Sequence, residues 1–304
     1  MSQSSHLKAD LLLLLVTLLA AAGWIFSKEA LSGLPPLLFI GIRFFCAGII
    51  LAAVGRRALM SLSAQQLRIA LSTGVLFAAA MCLWISGLFY GDHVGEGAFI
   101  TSLAMVLAPL VSRVIFGERL ALATWLALPV ATCGLALLSL RNGLHPELGQ
   151  LFFLASAVLF SLNFTLNTHM SAKVPVIALT TVQLLTVGVT ASGLSLALEE
   201  WPQQVSVDIW GWVAASAVIA TSLRFFLQTF AQSLTPVSHA AVIMTMEPVF
   251  TTLMALLWLG ETMSGMQMLG CFLIFSALLI NRWRAVRVAF KGLMRQDKGE
   301  ATND

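Results

Sequence analysis

Long apolar runs separated by short polar breaks dominate this chain from end to end. Stretches able to cross about 30 Å of hydrocarbon, roughly 17–25 residues each, fall at 10–29, 36–54, 67–90, 94–116, 121–140, 149–170, 174–198, 208–233, 238–259 and 265–283. The runs are continuous and do not alternate, which predicts membrane-spanning helices and not barrel strands. Ten helices follow, with a soft boundary between the third and fourth, where only Tyr90 to His93 intervene.

Composition sharpens this picture. The 304 residues are 59% hydrophobic and only 10% charged, with a mean hydropathy of +0.91, whereas a soluble domain carries about 25% charged residues. The net charge of +3 is too small to suggest a nucleic-acid partner and comes mostly from the tail after Arg282. Cys46, Cys82, Cys133 and Cys271 all fall inside apolar runs without CxxC spacing. They read as small hydrophobes, with no metal or cofactor expected.

Basic residues set the orientation. With the N-terminus inside, the cytoplasmic side holds Lys8, Arg56, Arg57, Arg68, Arg113, Arg119, Lys173 and the basic tail. The outer side holds Lys28 and Arg141, and its longest loop is acidic through Glu199, Glu200 and Asp208. Both termini are therefore expected in the cytoplasm of a bacterial-type cell, with the chain in its inner membrane. Leu11 to Ala22 imitates a secretory signal, but the repeat described next needs this segment as a helix.

Sliding the chain by 143 positions lays Val94–Ile100 on Val237–Ile243 and Gly117-Glu118 on Gly260-Glu261, and a similar offset lays Arg43 on Gln183. Each half thus has five helices, and an odd number inverts the second half relative to the first. The expected units are a cytoplasmic N-terminus over 1–9, repeats over 10–140 and 149–283, and a basic cytoplasmic tail over 284–304. Inverted repeats are a recurring transporter architecture, with the substrate site near mid-membrane between the halves.

The ten segments, the two-fold five-helix repeat, the Gly-Glu pairs closing the fourth and ninth helices, and Met246-Glu247-Pro248 together resemble the drug/metabolite transporter superfamily, specifically its EamA-type members. The run Phe226 to Gln232 carries the strongest part of the likeness. The resemblance implies a small-metabolite carrier, often an exporter of amino acids or related compounds. The first half departs from the pattern, with Met105 where the second half has Pro248 and with Pro109 four residues later, so the two halves are expected to bend differently.

Candidate site residues follow from charge at membrane depth, which costs about 2.5–3.5 kcal/mol even on the lenient insertion scale. Arg224 and Glu247 each lie near the middle of an apolar segment. Pro248 deprives the Met244 carbonyl of its helical partner, so the ninth helix is expected to kink near Glu247. Glu247 has two readings: a contact for a substrate amine or proton on a cavity wall, or a structural ion pair with Arg224. Arg224, Gln228 and Gln232 recur every four residues and form one polar stripe, as do Asn163 and Asn167. Such stripes line a hydrophilic path or act as interhelical glue. Arg43 is placed to bind a carboxylate bidentately or to pair with Glu96 or Glu29. Trp24 and Lys28 read first as interface anchors, and Glu118 and Glu261 as caps for the helix that follows each.

These readings favour a carrier for a small polar or amphiphilic, amino-acid-like molecule, with the lipid bilayer as its surroundings and protons as a candidate coupling ion. They leave its oligomeric state open. The rivals are a flippase-type carrier or membrane subunit for a lipid-linked compound, and an intramembrane protease suggested by Gly193 to Ser195. The last lacks an evident histidine partner.

Overall fold

Prolines, glycines and capping side chains decide where the apolar runs begin and end as helices. The computed structural model describes residues 3–117, 122–139, 147–170, 173–233, 243–244 and 246–281, and all regular structure among them is helical. The helices of eight residues or more are α1 (Gln3–Ala30), α2 (Pro36–Val54), α3 (Ala64–Tyr90), α4 (Val94–Ser102), α5 (Ala104–Phe116), α6 (Leu122–Ser139), α7 (Leu148–Met170), α8 (Val176–Leu198), α9 (Val207–Ala215), α10 (Arg224–Ser233), α11 (Glu247–Met254) and α12 (Gly265–Asn281). Two π-helical stretches, Ser216–Leu223 and Ala255–Leu259, continue α9 into α10 and extend α11. Pro36 opens α2, where its missing N–H and fixed φ suit the first turn. Ser63 and Gln66 form a reciprocal capping box at the start of α3.

Among the described residues, six helices are long and apolar enough to cross a membrane, and four shorter apolar helices accompany them. Phe39, Ile40, Phe44, Ile85, Leu88, Ile100, Leu184 and Ile274 are fully buried inside the bundle. Val75, Val114, Leu257 and Phe272 stand on its outside, more than half exposed. An apolar exterior of this kind is covered by lipid, and association inside it depends on close packing.

The halves pack on each other through matched positions. A Cβ placed on Gly48 of α2 would stand 2.6 Å from Leu185 Cδ2 of α8, and one on Gly188 of α8 would stand 2.5 Å from the backbone nitrogen of Phe45. An offset of 140 carries Gly48 onto Gly188 and Phe45 onto Leu185, so the two contacts are related by exchange of the halves. Only glycine permits so close a backbone approach.

The fourth and ninth apolar segments are each broken, and at matched positions. Leu103 N donates to Ile100 O at 3.1 Å, and Met246 N donates to Ile243 O at 3.0 Å, the two turns lying 143 residues apart. This corrects the expectation that the halves bend differently: the two segments break at the same place. The turn at Met246 falls beside Glu247, where the sequence places a bend at Pro248. Pro248 stands in the first turn of α11, where no N–H partner is required. Pro109 lies within α5, past the break.

Both segments end on a left-handed glycine, Gly117 at φ 69° and Gly260 at φ 65°, as a glycine C-cap should. The carboxylate of Glu261 accepts from Val94 N at 2.7 Å and Gly95 N at 3.3 Å. It therefore caps α4 of the opposite half and not the helix that follows it, which corrects the sequence reading. The carboxyl end of the ninth segment thus meets the amino end of its counterpart, the fourth, where an acid complements the helix dipole. Glu118 lies outside the described residues.

Candidate functional site

The centre of the bundle gathers side chains from α1, α2, α10, α11 and the π-helical stretch between α9 and α10. Arg224 opens α10 and Glu247 opens α11. Their Nη2 and Oε2 atoms are 3.4 Å apart, with the two side chains 20% and 24% exposed. This ion pair is long for a charge-assisted bond, which usually spans about 2.7–2.9 Å. The other carboxylate oxygen, Oε1, accepts from Trp24 Nε1 at 3.3 Å. Trp24 is only 5% exposed and packs edge-on against Trp84, ring centroids 4.8 Å apart, and against Phe153 at 5.7 Å. Its expected role as an interface anchor is therefore corrected: it belongs to the centre.

Lys28, one turn further along α1, donates to the carbonyls of Leu88 at 3.1 Å and Gly91 at 2.8 Å. It closes the carboxyl end of α3, where a cation is favoured by the helix dipole.

Arg43 of α2 is buried, and neither carboxylate offered by the sequence reaches it. Glu29 instead accepts from Trp258 Nε1 at 3.0 Å, and Glu96 accepts from Gln150 Nε2. Arg43 Nε donates to Thr221 Oγ1 at 2.6 Å, and Nη1 donates to Ser27 Oγ at 2.8 Å. Both hydroxyls have given their single proton to backbone, Ser27 to Gly23 O and Thr221 to Ser216 O, so each is fixed as an acceptor. The Thr221 bond runs five residues back and belongs to the π-helical turn, a feature that recurs at functional sites. The Phe39 and Phe44 rings flank the guanidinium at 5.8 and 5.4 Å.

Several polar atoms in or near this centre remain unused. Arg224 Nε and Gln228 Oε1 are buried without a hydrogen-bond partner, as is Asn163 Oδ1 on α7. Each such atom costs about 1–3 kcal/mol if left unpaired, so the two one turn apart, on Arg224 and Gln228, suit a place that another molecule fills.

The polar stripes separate in the structure. Gln228 lies one turn after Arg224 on α10, while the side chain of Gln232 lies outside the described residues. Asn167 Oδ1 accepts from Gln183 Nε2 at 2.7 Å, and the same amide donates to Thr73 Oγ1 at 3.0 Å. Asn167 therefore joins α7, α8 and α3 as interhelical glue. Ser195 is engaged with Glu199 at 2.7 Å and Trp201 at 3.0 Å, and Glu199 in turn holds the first turn of α2 through Leu37 N and Leu38 N.

Trp24, Ser27 and Thr221 are the central residues that sequence reading missed as site members. Trp24 carried a signal, an indole N–H inside an apolar run, but its nearness to Lys28 and Glu29 pointed to the interface. Ser27 and Thr221 carried none, because hydroxyls are common in membrane helices.

An all-helical bundle with an apolar outside, two related halves and charge gathered between them defines a multi-pass membrane protein built around a polar centre. The chain belongs to the EamA-like transporter family, which matches residues 7–140 and again 147–283. It is similar to an uncharacterized transporter of Archaeoglobus fulgidus (strain ATCC 49558 / DSM 4304 / JCM 9628 / NBRC 100126 / VC-16), 26% identical over 275 residues, 90% of this chain and 86% of that one. A second uncharacterized transporter from the same organism is 26% identical over 188 residues, covering 61% and 67% of the two chains. A protein of known crystal structure shares the fold with a TM-score of 0.67 at 18% identity, over 94% of this chain and 99% of that one.

Proposed function

We propose that the protein is a secondary transporter of a bacterial-type inner membrane, both termini cytoplasmic, that exports a small, amino-acid-like metabolite by alternating access between its two halves. The observation that carries this reading is the Arg224–Glu247 pair, stretched to 3.4 Å and bordered by the unpaired Arg224 Nε and Gln228 Oε1. Such a pair offers both signs of charge to an amino-acid-like substrate. Where the substrate also carries both, binding exchanges partners without stranding either member of the pair. Glu247 is also the group placed to take up a proton as coupling ion.

A groove of about 270 Å³ supports a second reading. It is lined by Ala22, Ile25, Phe26, Trp212, Met254, Leu257 and Trp258 and reaches α1 beside Trp24. An amphiphilic or lipid-linked substrate entering from the bilayer suits such an apolar wall.

Comparing extracellular metabolites of cells that lack the protein with those of cells that overproduce it tests the first reading. The expected result is one class of small metabolite, depleted outside in the former and enriched in the latter, with no enrichment for Glu247→Gln. Unchanged extracellular metabolites together with altered leaflet distribution of a lipid-linked compound would favour the second.

A further inference from the structure

We infer that the transported molecule carries one net negative charge and that Arg43 sets this preference. The inference rests on reading the central cluster as the substrate site, and it adds what that reading leaves open.

Among the described residues, the charges gathered at the centre are Arg43, Arg224 and Glu247. Glu247 is taken by Arg224 and by Trp24. Among the described residues the hydrogen-bond and ring partners of Arg43 are hydroxyls and aromatic faces, and Thr221, which it bonds, lies one turn before a second cation, Arg224. Two guanidiniums thus share one carboxylate. A guanidinium cannot shed its proton to escape burial, so the surplus positive charge stays in a low-dielectric surrounding until an anion meets it.

The polar atoms agree with this count. Ser27 and Thr221 present only lone pairs to Arg43, so they hold the guanidinium in place but do not neutralise it. Those two bonds fix its plane through Nε and Nη1 and leave Nη2 for a ligand. Nη2 can then donate a charge-assisted bond to a carboxylate oxygen. Trp24 touches the ion pair through Glu247, and Trp84 and Phe153 pack against its ring, offering apolar area to the body of the molecule.

Two kinds of amino-acid-like anion satisfy this arithmetic. In one the amine is masked, the carboxylate meets Arg43, and the Arg224–Glu247 pair stays intact. In the other a second carboxylate accompanies a free amine, so that both arginines and Glu247 each receive an opposite charge. A simple zwitterion leaves the surplus charge in place, and a cation adds to it.

The test is calorimetric binding to the purified full-length protein in lipid nanodiscs. The probes are N-acetyl-L-phenylalanine and L-glutamate as monoanions, L-phenylalanine as the zwitterion and L-phenylalaninamide as the cation. At least one monoanion is expected to bind on the order of 10-fold more tightly than L-phenylalanine, about 1.4 kcal/mol, and the amide should bind weakest. Which monoanion wins separates the masked amine from the second carboxylate. In Arg43→Gln the resident charges cancel, so L-phenylalanine should overtake N-acetyl-L-phenylalanine. Arg43→Lys should keep the wild-type order.

The inference is overturned if L-phenylalanine binds the wild-type protein as tightly as either monoanion, or if Arg43→Gln preserves the wild-type order. The wild-type series needs no variant to fold. Should the zwitterion win while Glu247→Gln still stops efflux, the central site stands and only the charge assignment falls. Full efflux by Glu247→Gln would remove the site reading and this inference with it.

Discussion

Arg43 and Gln183 occupy equivalent positions in the two halves and make equivalent bonds with different charge. Arg43 donates to Ser27 in the first segment of its own half and to Thr221 in the third segment of the other. Gln183 donates to Asn167 in the first segment of its own half and to Thr73 in the third segment of the other. The frame is thus symmetric, while one corner is cationic and the other neutral. Breaking the neutral corner should cost stability, and breaking the cationic one should cost function.

Gln183→Leu leaves Asn167 and Thr73 without their buried donor, a loss of about 1–3 kcal/mol. It should lower the melting temperature in detergent while folded protein keeps its efflux. Arg43→Gln copies the neutral corner, so it should fold and lose efflux. A folded Gln183→Leu protein that cannot transport, beside an Arg43→Gln protein that can, would show that the charge difference is without functional meaning.

Glu261 offers a separate test of how the halves are joined. Its two bonds to the first turn of α4 cross from one half to the other. Replacement by alanine should destabilise by about 0.5–2 kcal/mol, the usual cost of a lost N-cap. Thermal unfolding should show the drop, and efflux per folded molecule should persist. An unchanged melting temperature would mean that this cap contributes nothing to the contact between the halves.

How much of this was legible in the sequence depends on what each feature rests on. The apolar runs and the Gly-Glu pairs repeat in the linear chain, so the helical membrane fold and the repeat could be read directly. Arg224 and Glu247 stood out because charge is rare at that depth, and the structure brings the two together. The break at Leu103 was not legible, since no proline marks it and only the matched turn at Met246 shows its meaning. The cap by Glu261 was assigned to the wrong helix because sequence distance favours a neighbour, whereas the donor, Val94 N, lies 167 residues away. Arg43 was offered carboxylates because charge seeks charge, yet the surrounding helices supply hydroxyls.

Topology follows from the asymmetry of basic residues and the odd number of segments per half. Reporter fusions after Arg57 and Arg119 should report cytoplasm, and fusions after Arg141 and Glu200 the outer side. A reporter at Glu200 found inside would be incompatible with inversion of the second half.

Water access distinguishes a transport path from a packed polar core. Gln228 lies one turn from Arg224 with a buried, unpaired oxygen, whereas Leu227 is on a different face of α10. In a background without Cys46, Cys82, Cys133 and Cys271, a cysteine replacing Gln228 should react with a water-soluble thiol reagent, because the thiolate is the reacting species and needs water. Substrate should protect it, and a cysteine replacing Leu227 should stay inert. Equal labelling at both positions would remove the stripe from the path.

The sharpest test concerns Glu247 and Arg224 as one unit. Alone in hydrocarbon, a carboxylate is driven to its neutral form, while an arginine has no such escape. Glu247→Gln therefore strands Arg224 beside Arg43, and Arg224→Gln leaves Glu247 with Trp24 as its remaining donor. Each single change should abolish efflux, and Glu247→Gln should lower the protein level more, because two buried cations then lack any carboxylate. The double change leaves only Arg43 charged and should recover the level through loss of the unpaired partner, without recovering efflux. A double-mutant cycle on level and efflux measures the coupling, with about 0.5–3 kcal/mol expected for residues in contact. Additive losses in the cycle would mean that the 3.4 Å contact carries no shared energy. If Glu247→Gln alone keeps full efflux, the glutamate belongs to the helix break at Met246 and not to binding. If it loses only the pH dependence of efflux, Glu247 holds the coupling proton, and substrate charge must be met by the arginines.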